Sequence, residues 1–264
     1  MTILETAERA ARRAGDIIMD FYRKGGEVFY KDTCNLVTEA DLAAEEAITG
    51  SIREIFPNHA FLCEEKEKAS AEADRLWIID PLDGTNNFAH RFPHFCVSIA
   101  YAEKGEVLSG VVLDPVRDDL YSAEKGKGAF LNRERVSVSG AVGLSESIIA
   151  TGFYYDRDEL MEKTLQAIGA LFRNRIQGIR RTGSAALDLC YVGCGRLDGF
   201  FEYRLSPWDF AAAALFITEA DGTCSDSRGE TKNILGAKGI TASNGRIHDS
   251  LLTVIQEHIP YENK

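Results

Sequence analysis

Basic residues are scarce in this 264-residue chain: 30 Lys and Arg stand against 41 Asp and Glu, a formal net charge of −11. Proteins that grip nucleic-acid backbones need clustered cations, so nucleic acid is not expected as the main partner. The local group Arg173, Arg175, Arg180 and Arg181 is expected to be a solvated face or a dimer contact. Paired cysteines are missing as well. Cys34, Cys63, Cys96, Cys190, Cys194 and Cys224 include no CxxC spacing, and no His or Cys cluster accompanies the helical-looking Cys190–Cys194 stretch. That argues against a zinc site. Free or buried thiols in a reducing cytosol are expected, and hence a cytoplasmic location. No run approaches the roughly 20 apolar residues of a membrane span. Glu5, Glu8, Arg9, Arg12, Arg13 and Asp16 make the first residues unlike a signal peptide. There is no internal repeat and no low-complexity segment. What remains is a soluble globular composition, 45% hydrophobic and 27% charged, long enough for one large domain or two intimately packed halves.

The chain is organised around Trp77 to Phe88. Leu76 to Ile79 is a short apolar run that reads as a buried strand. Pro81 and Gly84 are then expected to force the chain out of the sheet, since proline lacks the ladder donor and glycine tolerates unusual dihedrals. Asp80 and Asp83 stand at the mouth of that strand. Residues three apart on a strand point to opposite faces, so a turn is expected to bring both acids together. Two carboxylates held together call for a cation. The same residues would also make an ordinary Pro-x-Asp-Gly turn. A calcium loop fails, because its twelfth position holds Arg91 where a Glu is needed. An aspartate-nucleophile phosphatase would want its acids one residue apart, whereas Pro81 and Leu82 separate these two. That mechanism, through an acyl-phosphate, is the runner-up.

Upstream, residues 3 to 22 carry Leu4, Ala7, Ala11, Ala14, Ile18 and Phe21 at helical steps, and Gly25-Gly26 ends that helix. A strand is expected at Val28-Phe29-Tyr30. Thr38 or Asp41 could cap a second helix with Leu42, Ile48, Ile52, Ile55 and Phe56 as its apolar stripe. His59, in the closing turn, is expected at the surface rather than as a ligand. Phe61-Leu62-Cys63 is a strand ending in Glu64-Glu65. Adjacent glutamates are commonly solvated, but here two successive strands end in acid. If both join one sheet, Glu64 and Asp80 can meet at the same edge.

Downstream, Phe95 to Tyr101 and Val107 to Leu113 flank Lys104-Gly105 as a hairpin. Leu120 to Ala123 and Gly128 to Leu131 flank a second glycine-rich turn, and residues 140 to 147 form a junction. Strands are expected at 148–150, 176–179, 197–203 and 239–242, alternating with helices at 158–172, 184–192, 209–219 and 247–259. This alternation implies an α/β half packed on an α+β half. Asp209 follows Pro207 at a helix start, as an ordinary N-cap or first-turn acid would. Arg180 to Ala186 likewise opens a helix, and such N-termini suit phosphate.

Taken together, Glu64-Glu65, Trp77 to Phe88 and Pro207 to Ala213 resemble the inositol monophosphatase family. Its members are Mg²⁺-dependent, lithium-sensitive phosphomonoesterases, grouped with fructose-1,6-bisphosphatases and nucleotide 3′-phosphatases. The resemblance covers nearly the whole chain and implies a layered αβαβα sandwich of the α+β / α/β class. The expected halves are 1–143, an α+β half carrying the metal motifs, and 144–264, an α/β half completing the active site. By resemblance, Glu64, Asp80 and the Leu82 carbonyl hold one Mg²⁺, and Asp80, Asp83 and Asp209 hold a second. Glu64 also reaches a third ion through water. Thr85, supported by Asp41, orients the attacking water; the backbone of Gly84 and Thr85 receives the phosphate. Gly183, Ser184 and Ala185 match the helix start that contacts the polyol, and Glu202 matches a glutamate that binds its hydroxyls.

Cys63 and Asn35 depart from residues frequent in the family without removing a metal ligand. Arg204 to Asp209 looks like the bacterial branch. The resemblance implies a small phosphate-ester substrate, inositol monophosphate first. Fructose-1,6-bisphosphate, histidinol phosphate and 3′-phosphoadenosine 5′-phosphate are the alternatives. A homodimer is implied, and a regulatory protein with an RNA or protein partner is the competing class. Lys24 to Asn35 is a candidate lid bringing Lys31 to the site. The charges agree with this reading: like charges about 4 Å apart repel by roughly 4 kcal/mol at an effective dielectric near 20. Four carboxylates and a phosphate therefore require divalent cations.

Overall fold

Small apolar residues bury one face of the first helix, α1 (Ile3–Lys24), through Ala7, Ala10, Ala11, Ala14 and Ile18. Glu5 in its first turn and Arg23 and Lys24 in its last complement the helix dipole. The computed structural model describes residues 1–24, 28–30, 36–66, 68–70, 73–155 and 158–259. Two short antiparallel strands follow α1, β1 (Val28–Tyr30) and β2 (Leu36–Thr38). Lys31, Cys34 and Asn35 lie outside the described residues, as does most of the expected lid. Helix α2 (Glu39–Arg53) packs beside α1 and buries Ala40, Ala44, Ile48 and Ile52, every fourth residue. It begins before Asp41, so Asp41 is a buried first-turn residue and not the cap. Leu42, expected in the apolar stripe, is half-buried.

The larger sheet opens with β3 (Ala60–Cys63) and β4 (Arg75–Asp83), which pair in parallel. After a short helix, α3 (Thr85–Ala89), come β5 (Cys96–Glu103), β6 (Glu106–Asp114), β7 (Asp119–Glu124), β8 (Gly128–Leu131) and β9 (Glu134–Arg135). These strands lie in chain order and pair antiparallel from β4 onward. The β5–β6 hairpin turns at Lys104 and Gly105, whose φ values of 49° and 81° suit a two-residue hairpin loop. Side chains alternate as a strand requires. Trp77 and Ile79 face the core under α1 and α2, while Leu76 and Ile78 face the opposite core.

The second half supplies β10 (Ile148–Thr151), α4 (Glu159–Arg173), β11 (Gly178–Arg180), α5 (Ala185–Gly193), β12 (Gly199–Glu202) and α6 (Pro207–Glu219). Then come β13 (Thr223–Ser225), β14 (Ile240–Ser243) and α7 (His248–Gln256). The smaller sheet has the order β11-β10-β12-β14-β13. β13 was not expected: three residues after Gly222 carry too little pattern. Pairing with β14 and the His248 ring, 3.0 Å from the hydroxyls of both Ser225 and Ser243, hold it in place.

Five layers result. α1 and α2 cover one face of the large sheet, α5 and α6 fill the space between the sheets, and α4 and α7 cover the outside of the small sheet. This is the expected αβαβα sandwich. The alanines of α6 allow its backbone to approach β6 closely: a Cβ on Gly110 would sit 2.6 Å from the Ala212 carbonyl oxygen. Phe210 and Phe216 are fully buried on α6, each worth about 1.5–3 kcal/mol of apolar burial. This embedded helix carries Asp209 in its first turn.

One expectation fails in detail. β4 does not end at Ile79; it runs through Pro81 to Asp83. Asp80 pairs with Ser98 and Asp83 with Cys96, so three steps on β4 oppose two on β5. One extra residue is a β-bulge, where proline is tolerated within a sheet. A bulge, not a turn, brings the two acids to one face.

Candidate active site

The parallel register of β3 on β4 aligns Cys63 with Ile79, and the Glu64 N–H donates to the Ile79 carbonyl at 3.2 Å. Glu64 and Asp80 are therefore neighbours at one sheet end, as the two acid-ended strands implied. Asp80 is buried, and its Oδ1 accepts the Leu82 N–H at 3.0 Å. Asp83 Oδ2 accepts from Ser184 Oγ at 2.6 Å and from the Ala186 N–H at 2.8 Å, with Cys96 Sγ at 3.7 Å. The start of α5 thus grips a carboxylate of β4, and the Ser184 hydroxyl is committed to it.

Asp209 enters from the other side. Ser206, not Asp209, precedes the helix; Pro207 takes the first position, where a missing N–H costs nothing. Asp209 is the third helical residue, and its Oδ2 accepts the Ser206 N–H at 2.7 Å. The next segment brings Thr85, whose Oγ1 lies 3.1 Å from Asp41 Oδ1 and 3.0 Å from the Leu82 carbonyl. Gly84 has a φ of 96°, and a Cβ there would approach the His94 carbonyl to 3.0 Å. Asn87 Nδ2 donates to the carbonyls of His94 and Thr182, tying this segment to the Gly183 turn.

Glu64, Asp80, Leu82, Asp83, Gly84, Thr85, Gly183, Ser184, Ala185, Glu202 and Asp209 all line one cleft of about 180 Å³. Asp41 stands behind it through Thr85. Among the described residues lining the cleft, Arg181 is the one cation. Burial pushes the Asp80 carboxyl well above its usual range, and the charges of Glu64, Asp83 and Asp209 add to the effect. Burial, then Glu64 and Asp83, does the same to Asp209. Asp83 is raised by burial but pulled back by its bonds from Ser184 and Ala186. Glu202 is pushed up to about 8 by burial, against the pull of Arg181.

These shifts say that the carboxylates resist full ionisation together unless positive charge arrives, and every donor is a hard oxygen. That chemistry fits Mg²⁺. Among the described residues, no group of three or more His, Cys, Asp or Glu side chains stands so as to cage a metal ion. An ion that keeps several of its own waters needs no such cage.

Some lining residues carried no signal in the sequence. Asp188 lies in the apolar-looking α5, yet it is buried and accepts the Thr182 hydroxyl, with His94 Nε2 3.7 Å away. That distance is too long for a hydrogen bond, and among the described residues His94 Nε2 has no hydrogen-bond partner. Phe153, Tyr154 and Tyr155 form an aromatic wall, visible in the sequence only as three consecutive rings. Glu45, inside α2, accepts the N–H groups of Glu65 and Lys66; it reads as a solvated helix residue. His59 is half-buried rather than on the surface. It stacks on Phe56 and Tyr101, and its Nδ1 accepts from Trp77.

A family model described as the inositol monophosphatase family matches residues 1–260. "Nus factor SuhB" of Pseudomonas aeruginosa is 44% identical over 266 residues, covering 98% of this chain and 97% of that protein. The extragenic suppressor protein suhB of Bartonella henselae superposes with a TM-score of 0.91 at 36% identity, over 97% of this chain and 99% of that one. The inositol monophosphatase of Anabaena superposes with a TM-score of 0.87 at 38% identity, over 98% and 97%.

Proposed function

The chain belongs to the inositol monophosphatase family, and on that premise we propose that it is a Mg²⁺-dependent phosphomonoesterase hydrolysing inositol monophosphate to inositol and phosphate. One observation carries the reading: three separate segments, the end of β3, the bulge of β4 and the first turn of α6, deliver Glu64, Asp80, Asp83 and Asp209 to a single cleft. Glu64, Asp80 and the Leu82 carbonyl would hold one ion, and Asp80, Asp83 and Asp209 a second. Such ions supply positive charge to phosphate oxygens and make water more acidic.

The chain's own groups do the rest. The single hydroxyl hydrogen of Thr85 is committed to Asp41 or to the Leu82 carbonyl, so its lone pairs face outward and can accept from a water. With Glu64 accepting the other proton, that water presents a lone pair to phosphorus. An O–P bond forms as the ester P–O bond breaks in line; Glu64 passes the proton it takes from the water to solvent and the departing alkoxide takes one from solvent, leaving hydrogen phosphate and the alcohol. No phosphoenzyme forms. Backbone N–H groups of Gly84 and Thr85 receive the phosphate. Gly183 and Ala185 border the polyol, and Glu202, whose carboxyl burial pushes up to about 8, binds its hydroxyls. Lithium inhibition and a homodimer accompany this reading.

The test is phosphate release across a Mg²⁺ titration, with and without lithium. The panel holds inositol monophosphate, fructose-1,6-bisphosphate, histidinol phosphate and 3′-phosphoadenosine 5′-phosphate. Mg²⁺-dependent release from inositol monophosphate supports the proposal; release from another ester alone reassigns the substrate. The name of the Pseudomonas aeruginosa relative favours a second reading, a role as a Nus factor beside catalysis. Arg173, Arg175 and Arg180 are exposed, as is Phe172, and offer a surface for an RNA or protein partner. RNA binding that weakens with salt and disappears on their removal would support it.

A further inference from the structure

Helix α2 turns two buried carboxylates toward the site, one helical turn apart. Asp41 is 0% and Glu45 1% exposed. Like charges at i and i+4 disfavour a helix, and taking carboxylates out of water costs more still. Helix stability gives no reason to place them there. Each has a definite partner instead. Asp41 faces the Thr85 hydroxyl. Glu45 divides its two oxygens between successive backbone amides, Oε2 to Glu65 N and Oε1 to Lys66 N, both at 2.9 Å.

Those amides directly follow Glu64. On the other side of the turn, the Glu64 N–H is tied to Ile79, and Lys68 Nζ donates to the carbonyls of Cys63 and Glu64. Lys68 also lies 4.7 Å above the ring of Trp208, the neighbour of Asp209. The backbone around Glu64 is thus fixed from both sides. A Glu-Glu-Lys loop without these bonds would be a solvated segment free to swing its carboxylate away from Asp80.

We propose that Glu45 is the positioning residue for Glu64. On this view α2 sets both Thr85 and the Glu64 turn from one rigid element. The inference rests on the reading above that Glu64 holds Mg²⁺. It makes Glu45 a group acting through another residue rather than on substrate.

The test is Mg²⁺ binding to the metal-stripped full chain, by calorimetry without substrate, alongside thermal unfolding. In Glu45→Gln one amide loses its acceptor and meets an NH₂ group instead. Mg²⁺ affinity is expected to fall about 10- to 100-fold, the range for residues that orient ligands. Turnover at saturating Mg²⁺ should fall less. Ile48→Ala, a buried change on the same helix, should lower the melting temperature without altering Mg²⁺ affinity. If Glu45→Gln behaved like Ile48→Ala, Glu45 would be merely structural and the proposal overturned. Should Glu45→Gln fail to fold, Glu45→Asp, too short to span both amides, takes its place with the same two outcomes. Absence of Mg²⁺ binding by the unaltered protein would instead sink the phosphatase reading itself.

Discussion

Ser184 Oγ donates to Asp83 Oδ2 at 2.6 Å across 101 positions of sequence. This bond joins the start of α5 to the bulge of β4, and it is one of the forces holding the Asp83 carboxyl down against burial. Ser184→Ala leaves the Ala186 N–H as the remaining short donor. A hydrogen bond to a charged group is worth about 1.5–3 kcal/mol, an upper limit here because burial already disfavours the charged form of Asp83. Urea unfolding should show a loss within that limit. Mg²⁺ binding should also require a higher pH, because the Asp83 carboxyl rises further; an unchanged pH dependence would separate Ser184 from the site.

The acidic cluster is a cost to the fold that the proposed Mg²⁺ sites would account for. Asp83→Asn or Asp209→Asn removes one like charge from a buried group. The metal-free variant should melt at the same or a higher temperature than the parent. Its Mg²⁺-dependent turnover should fall on the order of 100-fold or more, as loss of several kcal/mol of charge stabilisation implies. Stability and activity measured on the same sample check this, since a destabilised variant would point to a purely structural role for the acid.

The architecture was legible because α1 and α2 carry helical periods and β5 and β6 are short apolar runs on either side of Lys104-Gly105. The site was legible as acids at strand and helix ends. The route by which Asp83 joins Asp80 was not. Odd spacing on a strand seemed to demand a turn, whereas the structure inserts one residue opposite β5. Whether a strand bulges depends on its partner's register, which no local pattern reveals. Asp209 read as an N-cap or a first-turn acid, and the structure bears out the second: it is the third helical residue, bonded to the Ser206 N–H. Glu45 stayed hidden for a reason similar to that of the bulge. Beside Glu46 it reads as a solvated helix residue, and only the packing of α2 against β4 and the Glu64 turn buries it.

pH and Mg²⁺ should act against each other. Asp80, Asp83 and Asp209 all have folded-state pKa values raised above the unfolded ones. Their neutral forms favour the fold below about pH 4, and that advantage is lost as pH rises through the raised values. Glu202 follows the same sign, losing its contribution between its ordinary value of 4.5 and about 8. The metal-free melting temperature should therefore decline from acid toward neutral pH, relative to a Glu202→Gln, Asp83→Asn double variant. Saturating Mg²⁺ should remove most of the decline and release protons on binding. Calorimetry in two buffers of different ionisation enthalpy, repeated from about pH 5 upward, counts those protons, and a count of zero throughout would contradict the raised values.

Thr85 separates the two mechanisms most cleanly. Its hydroxyl hydrogen is already given to Asp41 or Leu82, so it serves an incoming water as acceptor rather than donor. Thr85→Ala should lower kcat by about 100-fold, the lower end for losing a positioned proton-handling group. Mg²⁺ affinity should stay unchanged, because no carboxylate moves. Thr85→Ser keeps the oxygen and should recover most of the rate. An aspartyl-phosphate mechanism predicts a different pattern: phosphoryl transfer to Asp80 or Asp83 would proceed in Thr85→Ala, and the slowed water step would let the acyl-phosphate accumulate. Intact-protein mass spectrometry of Thr85→Ala during turnover distinguishes them. No mass increase is expected, and a phosphorylated species would replace direct attack by water with the covalent route.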